Sequence, residues 1–143
     1  NRVRRQRQMC IRDRLKRGEK FSSKDYVRAQ EARMLCNGEL HKTMEGIDLL
    51  LCPSSPRAAY PYTEEDAYGP IPKNRDPWDS RFTVPMDFSG LPTIAMPCGF
   101  NKDGLPLSCQ LVGHKLSEQL LIQAGATYQR ATDWHTYRPP GWP

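Results

Sequence analysis

The sequence predicts an α/β fold in which helices cover a small sheet. Three observations predict it. A stretch of good helix formers from Lys24 to Glu45 leads directly into the apolar run Ile47-Asp48-Leu49-Leu50-Leu51-Cys52. Two further short apolar runs, each opened by a Leu-Pro pair, flank the turn sequence Asn101-Lys102-Asp103-Gly104. A last amphipathic segment, 117–132, follows the second run.

Ser22 or Ser23 suits the N-cap of the first helix, and Asp25 falls in its first turn, where a carboxylate is favoured. Tyr26, Ala29, Arg33, Cys36, Leu40 and Met44 recur three or four apart, with Ala32 and Leu35 nearby, and predict one inward face. Asn37-Gly38 admits a kink, and Gly46 is a natural stop. Ile47 to Cys52 reads as a buried strand halted by Pro53. Ser54 to Arg81 is long, irregular and rich in Pro, Tyr and acids, as functional loops and lids are. Its Tyr60, Tyr62, Tyr68 and Trp78 favour packing onto a surface over disorder.

Phe82 to Phe88 predicts a short helix with Pro85 near its first turn. Thr93 to Met96 and Leu107 to Val112 predict paired strands, with Gly104 at positive φ in the turn between them. Ser117 is placed to cap the last helix. Leu121, Ala124, Tyr128 and Ala131 form its inward face, and Gly125 permits close approach to the sheet.

Composition narrows the function classes. No apolar run in the 143 residues approaches membrane-span length, and no signal-peptide core follows Asn1. The expectation is a cytoplasmic protein with no membrane partner. The formal net charge of +5 is carried by residues 1–14, where six arginines face the single acid Asp13, and the remainder is neutral. Gln8-Met9-Cys10-Ile11-Arg12-Asp13-Arg14 resembles the translation of a transposon-end sequencing adapter. Residues 1–14 are therefore expected to be an artefactual basic leader, 15–137 the folded portion, and 138–143 a frayed Pro-rich tail. The rival reading is a non-enzymatic basic binding module for nucleic acid or an anionic membrane. The leader has no interleaved aromatics on which bases could stack, so no nucleic-acid partner is expected. Five cysteines, none at CxxC spacing, and three dispersed histidines point to neither a disulfide framework nor a metal site.

One ordered set of short motifs carries a resemblance. It comprises Phe82-Thr83, Pro85, Gly90, Pro92, Pro97-Cys98-Gly99-Phe100, Gly104-Leu105-Pro106, Gln110-Leu111, Gly113 and Glu118, then Ala131-Thr132-Asp133-Trp134-His135. Upstream, Tyr26, Ala29 and Arg33 fit as well, followed by Asp48-Leu49-Leu50 and Pro53. Over residues 15–137 the chain resembles the amidase signature family, serine hydrolases of amides. That family includes aryl-acylamidases and the amidase subunit of the tRNA-dependent amidotransferase. Asp87 stands where the family most often has Asn, Ser108 replaces a common Gly, and Cys52-Pro53-Ser54-Ser55-Pro56 replaces a Pro-Thr-Thr-Pro-like run.

The resemblance implies the C-terminal part of a mixed-sheet α/β/α amidase fold. It also implies a serine nucleophile, a bridging serine in a cis peptide and a lysine base, with no metal or cofactor. Those groups belong to a Gly/Ser-rich segment that this sequence does not contain. The expectation is thus a substrate-side fragment, inactive alone, of an enzyme acting on a small-molecule amide. An amidotransferase subunit, working with partner subunits and ATP used elsewhere in the complex, is the alternative. A second copy of the chain or such subunits are the protein partners considered.

Arg81, Phe82, Thr83 and Asp87 are the candidate substrate-binding residues, because the resemblance places this segment beside the acyl cleft. An aromatic wall with one or two charges suits an amide pocket. Core packing for Phe82 and a helix cap for Thr83 are the alternatives. Trp78 and Tyr68 are candidates to roof the same cleft. Ser54 and Ser55, flanked by prolines and lacking a glycine-rich turn, read as loop-capping serines rather than nucleophiles. Cys98 reads as a packing thiol, and His114 and His135 as surface or helix-end residues.

Overall fold

A computed structural model describes residues 11–12, 15–61 and 77–141. The leader, apart from Ile11 and Arg12, and Tyr62 and Tyr68 lie outside the described residues. Helix α1 spans Ser23–Thr43. Ser22 caps it reciprocally: its hydroxyl accepts from the Asp25 backbone N–H at 3.2 Å, and the Asp25 carboxylate accepts from the Ser22 N–H at 2.9 Å. The Ser22 hydroxyl, followed by its backbone N–H, holds the Asp25 carboxyl below the usual carboxylate range. A depressed folded-state pKa stabilises above the unfolded value and ceases to as pH falls through the folded one. The first turn of α1 is therefore expected to fray on acidification through that lowered pKa. Amide exchange at Asp25 and Tyr26 would report it, and Ser22→Ala should flatten the response.

α1 runs unbroken through Asn37-Gly38. Its expected inward face is corrected by the structure. Tyr26 is 66% exposed, Ala29, Arg33 and Cys36 are also exposed, and Leu40 is half-buried. Only Met44, just past the helix, is fully buried. The helix touches the rest of the described chain near its C-terminal half, so spacing correctly predicted a helix but not the surface that covers it. Gly46 at φ +76° turns the chain out of the helix.

Strands β1 (Leu49–Pro53), β2 (Thr93–Phe100) and β3 (Pro106–Gly113) form a sheet in the order β1-β3-β2. Both pairings are antiparallel, with Leu51 opposite Leu111 and Ile94 opposite Leu111. The parallel component of the expected mixed sheet is not among the described residues. β1 is an edge strand with Leu51 64% exposed, rather than the buried strand expected, and Pro53 is its last residue. Proline is tolerated there because an edge position needs no inner ladder donor. β2 and β3 are longer than their apolar runs, and β2 carries a bulge between Pro97 and Gly99 that leaves Cys98 as the extra residue.

The turn forms as the sequence dictates. Asn101 Oδ1 accepts from the N–H groups of Asp103 (2.9 Å) and Leu105 (2.8 Å), and Gly104 sits at φ +75°. Nothing lies within 4 Å of a Cβ at Gly104, so a side chain would be opposed by the backbone alone. Gly104→Val is expected to cost about 1–3 kcal/mol in urea denaturation.

Helix α2 (Val84–Ser89) carries Pro85 in its first turn and closes on Gly90 at φ +71°, whose N–H reaches the Met86 carbonyl at 3.0 Å. Helix α3 (Glu118–Ala131) lies on β2 and β3. A Cβ on Gly125 would stand 2.8 Å from Ile94 Cδ1 and 3.6 Å from Met96 Sδ, which is why glycine serves there. The alternation of the strands puts Ile94, Met96, Cys109 and Leu111 on this face and Gln110 and Val112 on the other. Leu121 is 3% exposed, Ala124 and Tyr128 are half-buried, and Ala131 is exposed, contrary to expectation. Ser117 is no side-chain cap; its hydroxyl donates to the His114 carbonyl at 2.6 Å. The buried apolar side chains among the described residues are Met44, Met86, Met96, Val112 and Leu121, a small core straddling the sheet.

Candidate substrate-side site

The segment from Pro77 to Asp87 is tied to the rest of the fold at two places, the loop after β1 and the middle of β3. A short 3-10 helix, Pro77–Ser80, presents Asp79 to the Arg57 guanidinium in an ion pair that ties the loop after β1 to this segment. The second attachment is Gln110, 4% exposed in the middle of β3. Its side-chain amide donates to the Phe82 carbonyl and to the Pro53 carbonyl (3.2 Å), with Cys52 Sγ at 3.3 Å. Both backbone partners are acceptors, which fixes the orientation of the amide.

The predicted site residues follow from that attachment. Arg81 is exposed, and its guanidinium lies over the Phe82 ring, 5.2 Å from the centroid. Phe82 is half-buried. Thr83 precedes α2 without capping it through its side chain; its hydroxyl donates to the Ser80 carbonyl at 3.3 Å. Its carbonyl accepts from the N–H groups of Met86 and Asp87 at 3.1 and 3.0 Å. Asp87 is exposed one turn further on and faces a shallow depression of about 600 Å³ with Met86, Leu91, Pro92 and Lys115. That depression does not include Arg81, Phe82 or Thr83 in its lining. The four residues thus share one short segment but not one cavity. Trp78 stands 66% exposed at the head of the same segment. Arg33 reinforces the far end, donating to the Phe88 carbonyl at 2.7 Å with its guanidinium 5.7 Å from the Phe88 ring centroid.

The nucleophile-like residues have structural surroundings. Ser55 caps its loop by donating to the Arg57 carbonyl at 2.8 Å. Ser54 does not: its hydroxyl is buried with no hydrogen-bond partner among the described residues, while its backbone N–H reaches the Ser108 carbonyl at 3.1 Å. Cys98 is half-buried in the bulge. Burial, then the neighbouring Cys98, pushes the Cys109 thiol upward, the opposite of activation. Burial also raises the Tyr128 phenol, which donates to the Pro97 carbonyl at 3.1 Å. His114 Nε2 lies 2.9 Å from the Ile47 carbonyl, joining the β3 exit to the approach to β1, and His135 is exposed. No group of three His, Cys, Asp or Glu among the described residues is placed to hold a metal.

Gln110, Arg57 and Asp79 were missed as site-building residues. Gln110 had a visible signal, a lone amide inside the apolar run Leu107 to Val112. Arg57 and Asp79 had none, since they lie 22 residues apart in an irregular loop.

Known proteins resemble the chain at both levels. The chain is 36% identical over 119 residues to a Glutamyl-tRNA(Gln) amidotransferase subunit of Rippkaea orientalis, covering 80% of this chain. The same subunit of Chloroflexus aggregans is 38% identical over 118 residues. The chain spans 23% and 22% of the lengths of those two relatives. In structure it matches 6-aminohexanoate cyclic dimer hydrolase with a TM-score of 0.72 at 26% identity, over 90% of this chain and 28% of that one. The Amidase family model matches residues 2–122, beginning inside the expected leader and ending short of the expected limit at 137, and the chain belongs to that family.

Proposed function

We propose that this chain is the C-terminal, substrate-side part of an amidase-signature enzyme that cleaves the C–N bond of a carboxamide. In this reading the whole protein is the amidase subunit of a Glutamyl-tRNA(Gln) amidotransferase. The observation that carries it is the identity of 36–38% to such subunits over 80% of the chain. The chain supplies a wall. Phe82 offers an aromatic surface with the Arg81 guanidinium over it, and Asp87 offers a carboxylate one turn further along the same segment. The nucleophile, its base and the oxyanion donors come from elsewhere in the enzyme, because acyl transfer needs all three in one constellation. The remaining amidotransferase subunits are its protein partners, and the compartment is the cytoplasm.

A second reading, a free-standing amide hydrolase, is favoured by the TM-score of 0.72 to 6-aminohexanoate cyclic dimer hydrolase. The test is ammonia release from glutamine by the enzyme carrying this chain in a complete amidase domain. It is run with and without amidotransferase partner subunits and Glu-tRNA(Gln), beside hydrolysis of simple aryl and primary amides. Dependence on the partners and the charged tRNA supports the amidotransferase reading. Efficient cleavage of simple amides by the enzyme alone supports the second. Cleavage of neither sinks both.

A further inference from the structure

We infer that Gln110 is a positioning residue that sets the substrate-side wall through the Phe82 carbonyl. This rests on the proposed function only in taking the Arg81 to Asp87 segment as that wall. Gln110 is only 4% exposed and sits on the central strand of the described sheet, so its own placement is rigid. Phe82 is 28 residues away in sequence and belongs to no strand, so ladder hydrogen bonds do not hold it. The amide reaches across to it and to the Pro53 carbonyl at the end of β1, so one side chain ties the Phe82 segment to two neighbouring strands of the sheet. Two N–H groups facing these acceptors leave no donor spare, and either carbonyl loses its partner if the amide is removed. The consequence is directional. Phe82, with Arg81 stacked on it, should be registered by Gln110, whereas the hairpin keeps its own ladder without it.

The test uses Gln110→Met, of similar length but without a donor, and Gln110→Asn, which keeps the amide but falls one methylene short. Hydrogen exchange is read on the purified chain, and kinetics on the complete enzyme. The expected result is exchange about tenfold faster at Met86 and Asp87, with the β2–β3 ladder unchanged. KM is expected to rise about tenfold and kcat to change less than threefold, the signature of lost binding shared equally by the ground and transition states. Should Gln110→Met fail to fold, Gln110→Asn gives the same readouts. Unchanged exchange at Met86 and Asp87, or equal acceleration in the ladder, overturns the inference. Selective loosening with KM unmoved also overturns it, because the tether would then not govern substrate binding. If the unaltered enzyme cleaves no amide, the proposed function is what fails, and the exchange readout alone decides the tether.

Discussion

Leu121→Ala is expected to cost about 2–5 kcal/mol, the usual range for truncating a fully buried leucine. Leu121 is the one buried apolar side chain that α3 brings to the core among the described residues. It packs beside Gly113, its Cγ and Cδ1 lying 3.3 and 3.4 Å from where a Cβ on that glycine would be. The rest of the described core is Met44, Met86, Met96 and Val112, so the cavity left has few neighbours able to collapse into it. Urea denaturation of the variant beside the unaltered chain measures the cost. A loss below about 1 kcal/mol would show that α3 does not anchor on the sheet through this residue.

Gly113→Ala is expected to cost about 1–3 kcal/mol by overpacking. The added Cβ would stand 2.2 Å from Ser117 Oγ, well inside contact distance. Ser117 would have to rotate and give up its bond to the His114 carbonyl, loosening the turn that delivers the chain into α3. Adding Ser117→Ala should restore part of the loss, since it removes the clashing oxygen but not the bond already broken. Thermal denaturation of the single and double variants separates the two contributions. Equal stability of Gly113→Ala and the unaltered chain would contradict the close approach of Ser117 to this glycine.

The parts of the fold legible in the sequence are those decided by chemistry within a few residues. Ser22 with Asp25, Pro85 in the first turn of α2, and Asn101 with Gly104 each meet a backbone requirement locally, and each appears where expected. Gly125 was legible because a glycine on an apolar helix face marks where a neighbouring element comes close. What escaped depends on distant partners. Periodicity showed that α1 has an apolar stripe but could not say what covers Tyr26 or Cys36, which stand exposed. Ser117 had the right residue type for a cap, but the His114 carbonyl competes for its hydroxyl. The candidate site divided in the same way. The segment Arg81 to Asp87 is a candidate on its motif alone, whereas its attachment through Gln110 spans 28 residues and its attachment through Arg57 and Asp79 spans 22.

In the proposed reading this chain provides a wall for an amide substrate and not the bond-making groups. The direct measurement is an amidase assay of the purified 143-residue chain on glutamine, simple aryl amides and primary amides. It is run beside a variant carrying both Ser54→Ala and Ser55→Ala. The account predicts no turnover above background for either protein, because Phe82 and its neighbours can orient an amide but cannot attack it. Turnover by the unaltered chain that disappears in the double variant would contradict it and make the buried hydroxyl of Ser54 or the loop hydroxyl of Ser55 a nucleophile.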